Sequence, residues 1–215
     1  MIREILSGLT RSSPSWYGGD LFCAREDAVY QERVLFSEKE IQDRVRALAQ
    51  EISRDYEGKS VVLVGLLKGA FMFLRDLGVA LERIRGEGRG VHEVYIEFLS
   101  VGSYGGGHES GTLKLDLDIR YAVRGKHVIL VEDVADTCNT LAWVVEHLQK
   151  KEPASLRVCV LIEKSDAHRY LVALHYVGFA RDRLPFLGGY GLDDDGARRC
   201  DLNIFEIPSK APTAE

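Results

Sequence analysis

Apolar residues recur along the chain in two alternating patterns. Ser37 with Glu40 three positions later has the form of a capping box, and Ile41, Val45, Leu48, Ala49 and Ile52 then follow at helical spacing. This predicts a helix to about Tyr56. A continuous apolar run from Val61 to Leu67 predicts a strand, and Phe71, Leu74, Leu77, Ala80 and Leu81 form a second helical stripe within Gly69 to Ile84. Val91 to Val101 is β-rich, Lys126 to Asp133 reads as a buried strand, Asn139 to Lys151 as a helix, and Ser155 to Glu163 as another apolar strand. Strands alternating with helices imply parallel βαβ units. In open parallel sheets ligands bind beyond the carboxyl ends of the strands, so the residues there are the first candidates for chemistry.

The remaining segments punctuate this core. Residues 1–30 are rich in Ser, Gly and Tyr without a period and read as an irregular arm, while Gly102 to Gly111 holds five glycines and reads as a long loop that includes His108. After about Ala167 the pattern shortens to strands and turns around Gly188-Gly189-Tyr190-Gly191, which suggests a small appended lobe. The expected organisation is an arm over 1–30, a domain over 31–206 with its core at about 37–166 and a hood at about 167–206, and a tail over 207–215.

Charge narrows the choice of partner. Lys and Arg number 28 against 33 Asp and Glu, a formal net charge of -5. Without a block of basic residues, nucleic acid and anionic membrane surfaces are poor partners. The apolar runs fall short of the roughly 20 residues that a membrane-spanning helix needs, and the start lacks a secretory h-region. The four cysteines, Cys23, Cys138, Cys159 and Cys200, form no CxxC pair. A reduced, cytoplasmic protein is expected.

The stretch Val131-Glu132-Asp133-Val134-Ala135-Asp136-Thr137-Cys138-Asn139-Thr140-Leu141 carries the most information. An apolar strand ends in two carboxylates, turns and opens a helix. Free backbone N–H groups and the hydroxyls of Thr137 and Thr140 converge at the helix start, an anion site suited to a phosphate. Glu132 and Asp133 would repel a bare phosphate and call instead for hydrogen-bond donors or a cation, such as a vicinal ribose diol or Mg²⁺. Phosphate and diol together describe a ribose 5-phosphate.

This stretch resembles the phosphoribosyl pyrophosphate signature of the type I phosphoribosyltransferases. Leu66-Leu67-Lys68-Gly69, Ser103-Tyr104-Gly105, Glu163-Lys164 and the FLGGYGLD segment from Phe186 to Asp193 are similar to the hypoxanthine-guanine branch, in family order, over about residues 34–206. The resemblance implies a mostly parallel twisted sheet flanked by helices, with a small C-terminal hood. It also implies transfer of a phosphoribosyl group from phosphoribosyl pyrophosphate to a ring nitrogen of a 6-oxopurine, with Mg²⁺ as cofactor and a homodimer or homotetramer as the assembly. A non-catalytic nucleotide-sensing regulator on the same fold is the alternative.

Residue by residue, the resemblance places Glu132 and Asp133 on the ribose. Asp136, Thr137, Cys138, Asn139 and Thr140 fall on the 5'-phosphate, and Lys68, Gly69, Ser103, Tyr104 and either Arg199 or Arg198 on pyrophosphate. Lys164 falls on the purine O6, Phe186 on the purine face, and Leu187 and Asp193 on its edge. Glu132, Asp133 and Asp193 are the expected metal carboxylates, and Asp136 the group that exchanges a proton with purine N7. From the residues alone, Asp136 as a helix cap, Lys164 as a surface lysine paired with Glu163 or Asp166, and Phe186 as a core aromatic remain open. The family can have a cis peptide before the lysine at 68. Cys138 stands where the family usually has glycine; it is either a structural thiol or, beside a helix N-terminus, one with a lowered pKa.

Overall fold

The computed structural model describes residues 33–104 and 112–208. Its elements are β1 (Val34–Phe36), α1 (Glu38–Asp55), β2 (Val61–Leu67), α2 (Phe71–Gly86), β3 (Val94–Tyr104), β4 (Thr112–Leu117), β5 (His127–Ala135), α3 (Asn139–Gln149), β6 (Ser155–Glu163), β7 (Tyr176–Ala180), β8 (Phe186–Gly188) and β9 (Ile204–Ile207). The arm over 1–30, the loop with Gly105 and His108, and the last residues of the tail lie outside the described residues.

Six strands form one sheet in the order β4-β3-β2-β5-β6-β7. All pairs are parallel except β3 with β4, which returns antiparallel on the edge. Alternation along the strands divides the apolar residues between two faces. Leu63, Ile129, Val131 and Leu161 pack with α1 and α2 through Ile41, Leu48, Phe73 and Leu77. Val64, Val128, Leu130 and Val160 pack with α3 through Leu141, Val144 and Leu148.

The capping box is present: the Ser37 side chain accepts from the backbone N–H of Glu40, and the Glu40 carboxylate accepts from the backbone N–H of Ser37 at 2.9 Å. It satisfies donors that the first turn of α1 leaves open. The second helix starts at Phe71, the first residue of its apolar stripe and two residues after Gly69, because Lys68, Gly69 and Ala70 form a turn. The Leu67–Lys68 peptide is cis.

Two further boundaries differ from the sequence pattern. β5 continues through Val134 to Ala135, in register with Ile162 and Glu163 of β6, so Glu132 and Asp133 stand inside a strand and not beyond it. β7 pairs with β6, which puts a segment expected in the hood into the core sheet. The lobe itself is a three-stranded antiparallel sheet, β1-β9-β8, to which the chain before α1 contributes one strand. Among the described residues no helix is long and apolar enough to cross a membrane.

Candidate active site

The carboxyl ends of β2 and β5 and the start of α3 line a pocket of about 260 Å³ that includes Leu67, Gly69, Glu132, Asp136, Thr137, Cys138, Asn139 and Thr140. Two segments 63 residues apart at their nearest, Gly69 and Glu132, are thereby brought together. Clefts of about 630 and 730 Å³ lie elsewhere, so size does not single this pocket out. Its donors and acceptors do.

The acidic pair is split by the strand's alternation. Asp133 is buried and faces the Lys68–Gly69 turn; a Cβ at position 69 would lie 1.9 Å from its Oδ2. Only glycine lets the turn approach the carboxylate so closely. Glu132 is partly covered as a residue, yet its Oε2 is buried without a hydrogen-bond partner among the described residues. Burial, followed by the neighbouring Asp133 carboxylate, pushes its pKa well up. A buried carboxylate oxygen without a partner is an acceptor waiting for a donor.

The following turn is shaped by backbone conformation. Cys138, the residue before α3, has φ 62° and ψ 11°, the left-handed region, and makes no side-chain cap. That conformation explains the glycine expected here, which adopts it without steric cost. Burial first, then the Glu163 and Asp136 carboxylates, raises the Cys138 thiol pKa, which favours the structural thiol over one lowered by the helix end. The Thr137 hydroxyl accepts from the Asn139 N–H at 3.5 Å, and the Thr137 carbonyl accepts from the Arg169 and Tyr170 N–H groups at 3.0 and 3.2 Å. The turn after β6 thus braces the anion loop from behind, a support not foreseen because it joins segments some 30 residues apart.

Asp136 does not cap α3. Its Oδ2 lies 3.1 Å from Lys164 Nζ, and that ammonium also donates to the Pro185 carbonyl at 3.3 Å. Lys164 is therefore paired with neither Glu163 nor Asp166; it bridges the anion loop to the start of β8. Phe186 is 77% exposed, so it is not a core aromatic, while Leu187 beside it is buried. An exposed ring that follows the Pro185 carbonyl held by the ammonium suits a planar, polar ligand.

The hood closes the arrangement. Gly191 lies so near the Gly69 carbonyl that a Cβ would stand 1.9 Å from it. Arg199 donates to the Gly191 carbonyl at 2.7 Å and pairs with Asp193 at 2.7 Å, whereas Arg198 pairs with Asp201 and covers the Phe205 ring. Of the two candidates, Arg199 is the one beside the Gly69 turn. Tyr190 is buried and donates to Asp76 of α2 at 2.8 Å; burial and the Asp76 charge raise its pKa, which keeps the hydroxyl a donor. Asp76 went unrecognised although the signal existed: an acid at 76 interrupts the helical stripe of Phe73, Leu77 and Ala80. Ser103 and Tyr104 continue the β3 backbone opposite Leu113 and Thr112.

Glu132, Asp133 and Asp193 do not form a cage for a metal. Among the described residues no group of three or more His, Cys, Asp or Glu side chains is placed to hold an ion alone. The oxygen donors fit Mg²⁺ in the other common manner, one or two carboxylates completed by substrate phosphates.

Fold and site define a class: an α/β protein with a mostly parallel sheet, a turn that opens a helix with free N–H groups, an acidic pair and a facing glycine turn at the carboxyl ends of its central strands. Residues 35–193 match the phosphoribosyl transferase domain family. The chain is 40% identical over 165 residues to a hypoxanthine-guanine phosphoribosyltransferase of Aquifex aeolicus, covering 75% of this chain and 86% of that one. It is 38% identical over 166 residues to the enzyme of that name from Dictyostelium discoideum, covering 74% and 86%. A crystal structure of a hypoxanthine-guanine phosphoribosyltransferase from Bacillus anthracis superposes with a TM-score of 0.71 at 36% identity, covering 81% and 97%. The chain belongs to the hypoxanthine-guanine phosphoribosyltransferase family.

Proposed function

We propose that the chain transfers the 5-phosphoribosyl group of phosphoribosyl pyrophosphate to N9 of hypoxanthine or guanine, and of xanthine as a further substrate to be tested. The products are IMP, GMP or XMP and pyrophosphate. The observation that carries this is the pairing of an open anion loop with a buried, unpartnered Glu132 oxygen, the two ends of a ribose 5-phosphate in one pocket. Family membership makes the chain a purine-salvage phosphoribosyltransferase, and the comparisons give no support to the regulator alternative.

In this reading the amides and hydroxyls from Asp136 to Thr140 receive the 5'-phosphate, and Glu132 with Asp133 accepts from the ribose hydroxyls. The C1'–oxygen bond to pyrophosphate breaks as C1'–N9 forms, with positive charge growing on the ribose and negative charge on the leaving group. Lys68, the Gly69 turn, Ser103, Tyr104 and Arg199 receive pyrophosphate. Asp133 and Asp193 would hold Mg²⁺, which neutralises charge on the departing oxygens when bound. Arg199, paired with Asp193 at 2.7 Å, would lie beside the same phosphates.

Asp136 takes or returns the proton at purine N7. Lys164, released from Asp136, donates to O6, Phe186 stacks on the ring, and Leu187 and Asp193 meet its edge. An adenine amino group cannot accept from an ammonium, so the base site favours oxopurines. A homodimer or homotetramer is the proposed assembly, with Ile96 and Phe98, 42% and 41% exposed on the α2–β3 face, as the candidate contact. The cytoplasm is the proposed location.

The test is turnover with Mg²⁺, phosphoribosyl pyrophosphate and each base in turn. Nucleotide should form with hypoxanthine and guanine, and with adenine at a rate lower by about 10² or more. Tight ligand binding without turnover of any oxopurine would overturn the enzyme reading.

A further inference from the structure

We propose that the cleft between the second halves of α1 and α2 is a separate anion site that takes a small molecule carrying clustered phosphoryl groups. It encloses about 630 Å³, within the range of small-molecule sites, and uses none of the residues assigned above. Arg46 and Arg54 of α1, Arg83 of α2 and Arg89 of the following turn line it, against Glu57 and Glu87. On a chain of net charge -5 this concentrates positive charge.

Helix ends alone do not account for it. The final turns of α1 and α2 favour cations, which explains Arg54 and Arg83 but neither Arg46, two turns earlier, nor Arg89, beyond the helix. Arg46 and Arg89 are already engaged by Asp43 and Glu87, whereas Arg54 and Arg83 make no ion pair among the described residues.

Ser53 is the independent pointer to a ligand. It lines the same cleft, is 4% exposed, and its Oγ is buried without a hydrogen-bond partner among the described residues. A helical serine ordinarily returns its hydroxyl to the carbonyl one turn back; that of Ser53 instead lies at the base of the cleft against Gly90 with its donor unspent. Guanidinium forks bind phosphoryl oxygens in pairs, and a hydroxyl supplies one further donor. Arg54 and Arg83 offer two forks, Arg46 and Arg89 add two more if they exchange their acids for the ligand, and the cleft has room for several phosphoryl groups. Ala80 and Ile84 give it an apolar side, so the phosphoryl groups can be those of an inorganic polyphosphate or of a nucleotide.

The site lies at the opposite end of α2 from the Gly69 turn. Sixteen residues at roughly 1.5 Å each separate the two by about 24 Å, so they are distinguishable by mapping. The probe is sodium tripolyphosphate added to the full-length protein, followed by hydrogen exchange of peptides covering 46–57, 80–90 and 132–140. Both distal peptides should gain protection in the parent and in Lys68→Ala. In the Arg54→Ala, Arg83→Ala double variant, altered only at exposed side chains, distal protection should disappear and that around 132–140 persist. Ser53→Ala, which keeps every arginine, should weaken distal binding about threefold to tenfold by calorimetry. Protection confined to 132–140, or distal protection unchanged in the double variant, would overturn the proposal. GTP and ATP separate the sources: tighter distal binding than tripolyphosphate assigns a nucleotide, equal or weaker binding an inorganic polyphosphate.

Discussion

The strands of the large sheet begin and end among polar side chains, and those that flank the strands themselves are treated in opposite ways at the two ends. At the amino ends, Tyr56 and His127 both meet the Ser155 hydroxyl, at 3.1 and 2.9 Å. Nearby, Tyr176 donates to Asp55 at 2.7 Å, and Arg157 donates to both, at 2.6 Å to the tyrosine oxygen. At the carboxyl ends the bonds are left incomplete: Glu132 Oε2 has no partner among the described residues, Phe186 stands in solvent, and Cys138 holds a left-handed backbone. Groups satisfied within the chain stabilise the fold; groups held open at a cost are reserved for something that arrives. Substitutions at one end should therefore change stability, and at the other chemistry.

The largest effect is expected at Asp136. Its side chain is 51% exposed and its one ion pair among the described residues is with Lys164, so little folding energy rests on it. Asp136→Asn should slow turnover by about 10² to 10⁴ while leaving phosphoribosyl pyrophosphate affinity and Tm near the parent values. Steady-state kinetics beside a thermal melt would decide, and near-normal turnover would strip Asp136 of its role.

Glu132→Gln should separate stability from binding. Burial and Asp133 raise the Glu132 pKa, so the folded chain holds that proton more tightly than the unfolded one. Its contribution is most favourable in acid and is lost as pH rises through the folded value. Glutamine removes the charge, so the variant should be more stable at neutral pH by about 1–3 kcal/mol. Loss of a charge-assisted bond to the ribose should weaken phosphoribosyl pyrophosphate by about tenfold or more. A variant that is less stable and binds normally would contradict the contrast drawn here.

Asp55 should respond to pH with the opposite sign. The Tyr176 hydroxyl first, and then Arg157, hold its carboxyl below the ordinary value despite some burial. The folded chain thus binds this proton more weakly. The stabilisation is complete above the unfolded pKa of about 3.9 and is lost as pH falls through the lower, folded value. Because the pair is substantially exposed, its worth is at most about 1 kcal/mol. Asp55→Asn should lower Tm slightly at neutral pH, flatten its loss toward pH 3, and leave kcat unchanged.

What could be read in advance follows the same division. Periodicity found α1, β2, β6 and the parallel core, because those elements bury continuous apolar faces. The loop from Asp136 to Thr140 was legible because its chemistry is consecutive in sequence. Pro185 and the amides of Arg169 and Tyr170 were not, since each serves the site through a partner distant in sequence; the acid at 76 in an apolar stripe marked a buried polar group but not its partner Tyr190. The antiparallel β4 also escaped notice, as its Thr-Leu-Lys-Leu-Asp-Leu alternation follows a glycine-rich stretch that masked it. The end of β5 was misplaced because two acids look like the close of a strand, when their pairing with β6 continues to Ala135.

The smallest effect, at Cys138, tests whether the open end of the sheet is strained as well as unsatisfied. At an ordinary buried position alanine is more stable than glycine by about 0.5–1 kcal/mol, because glycine loses more backbone freedom on folding. At φ 62° the order should invert. Cys138→Ala keeps a Cβ in the left-handed region at a cost of about 1–2 kcal/mol, which Cys138→Gly removes. Both variants lose the buried sulfur, so that term largely cancels between them. After the entropic penalty of glycine, Cys138→Gly should exceed Cys138→Ala by about 0.5 kcal/mol in chemical denaturation. If alanine proves the more stable, the turn relaxes freely and the carboxyl end of β5 is unsatisfied without being strained.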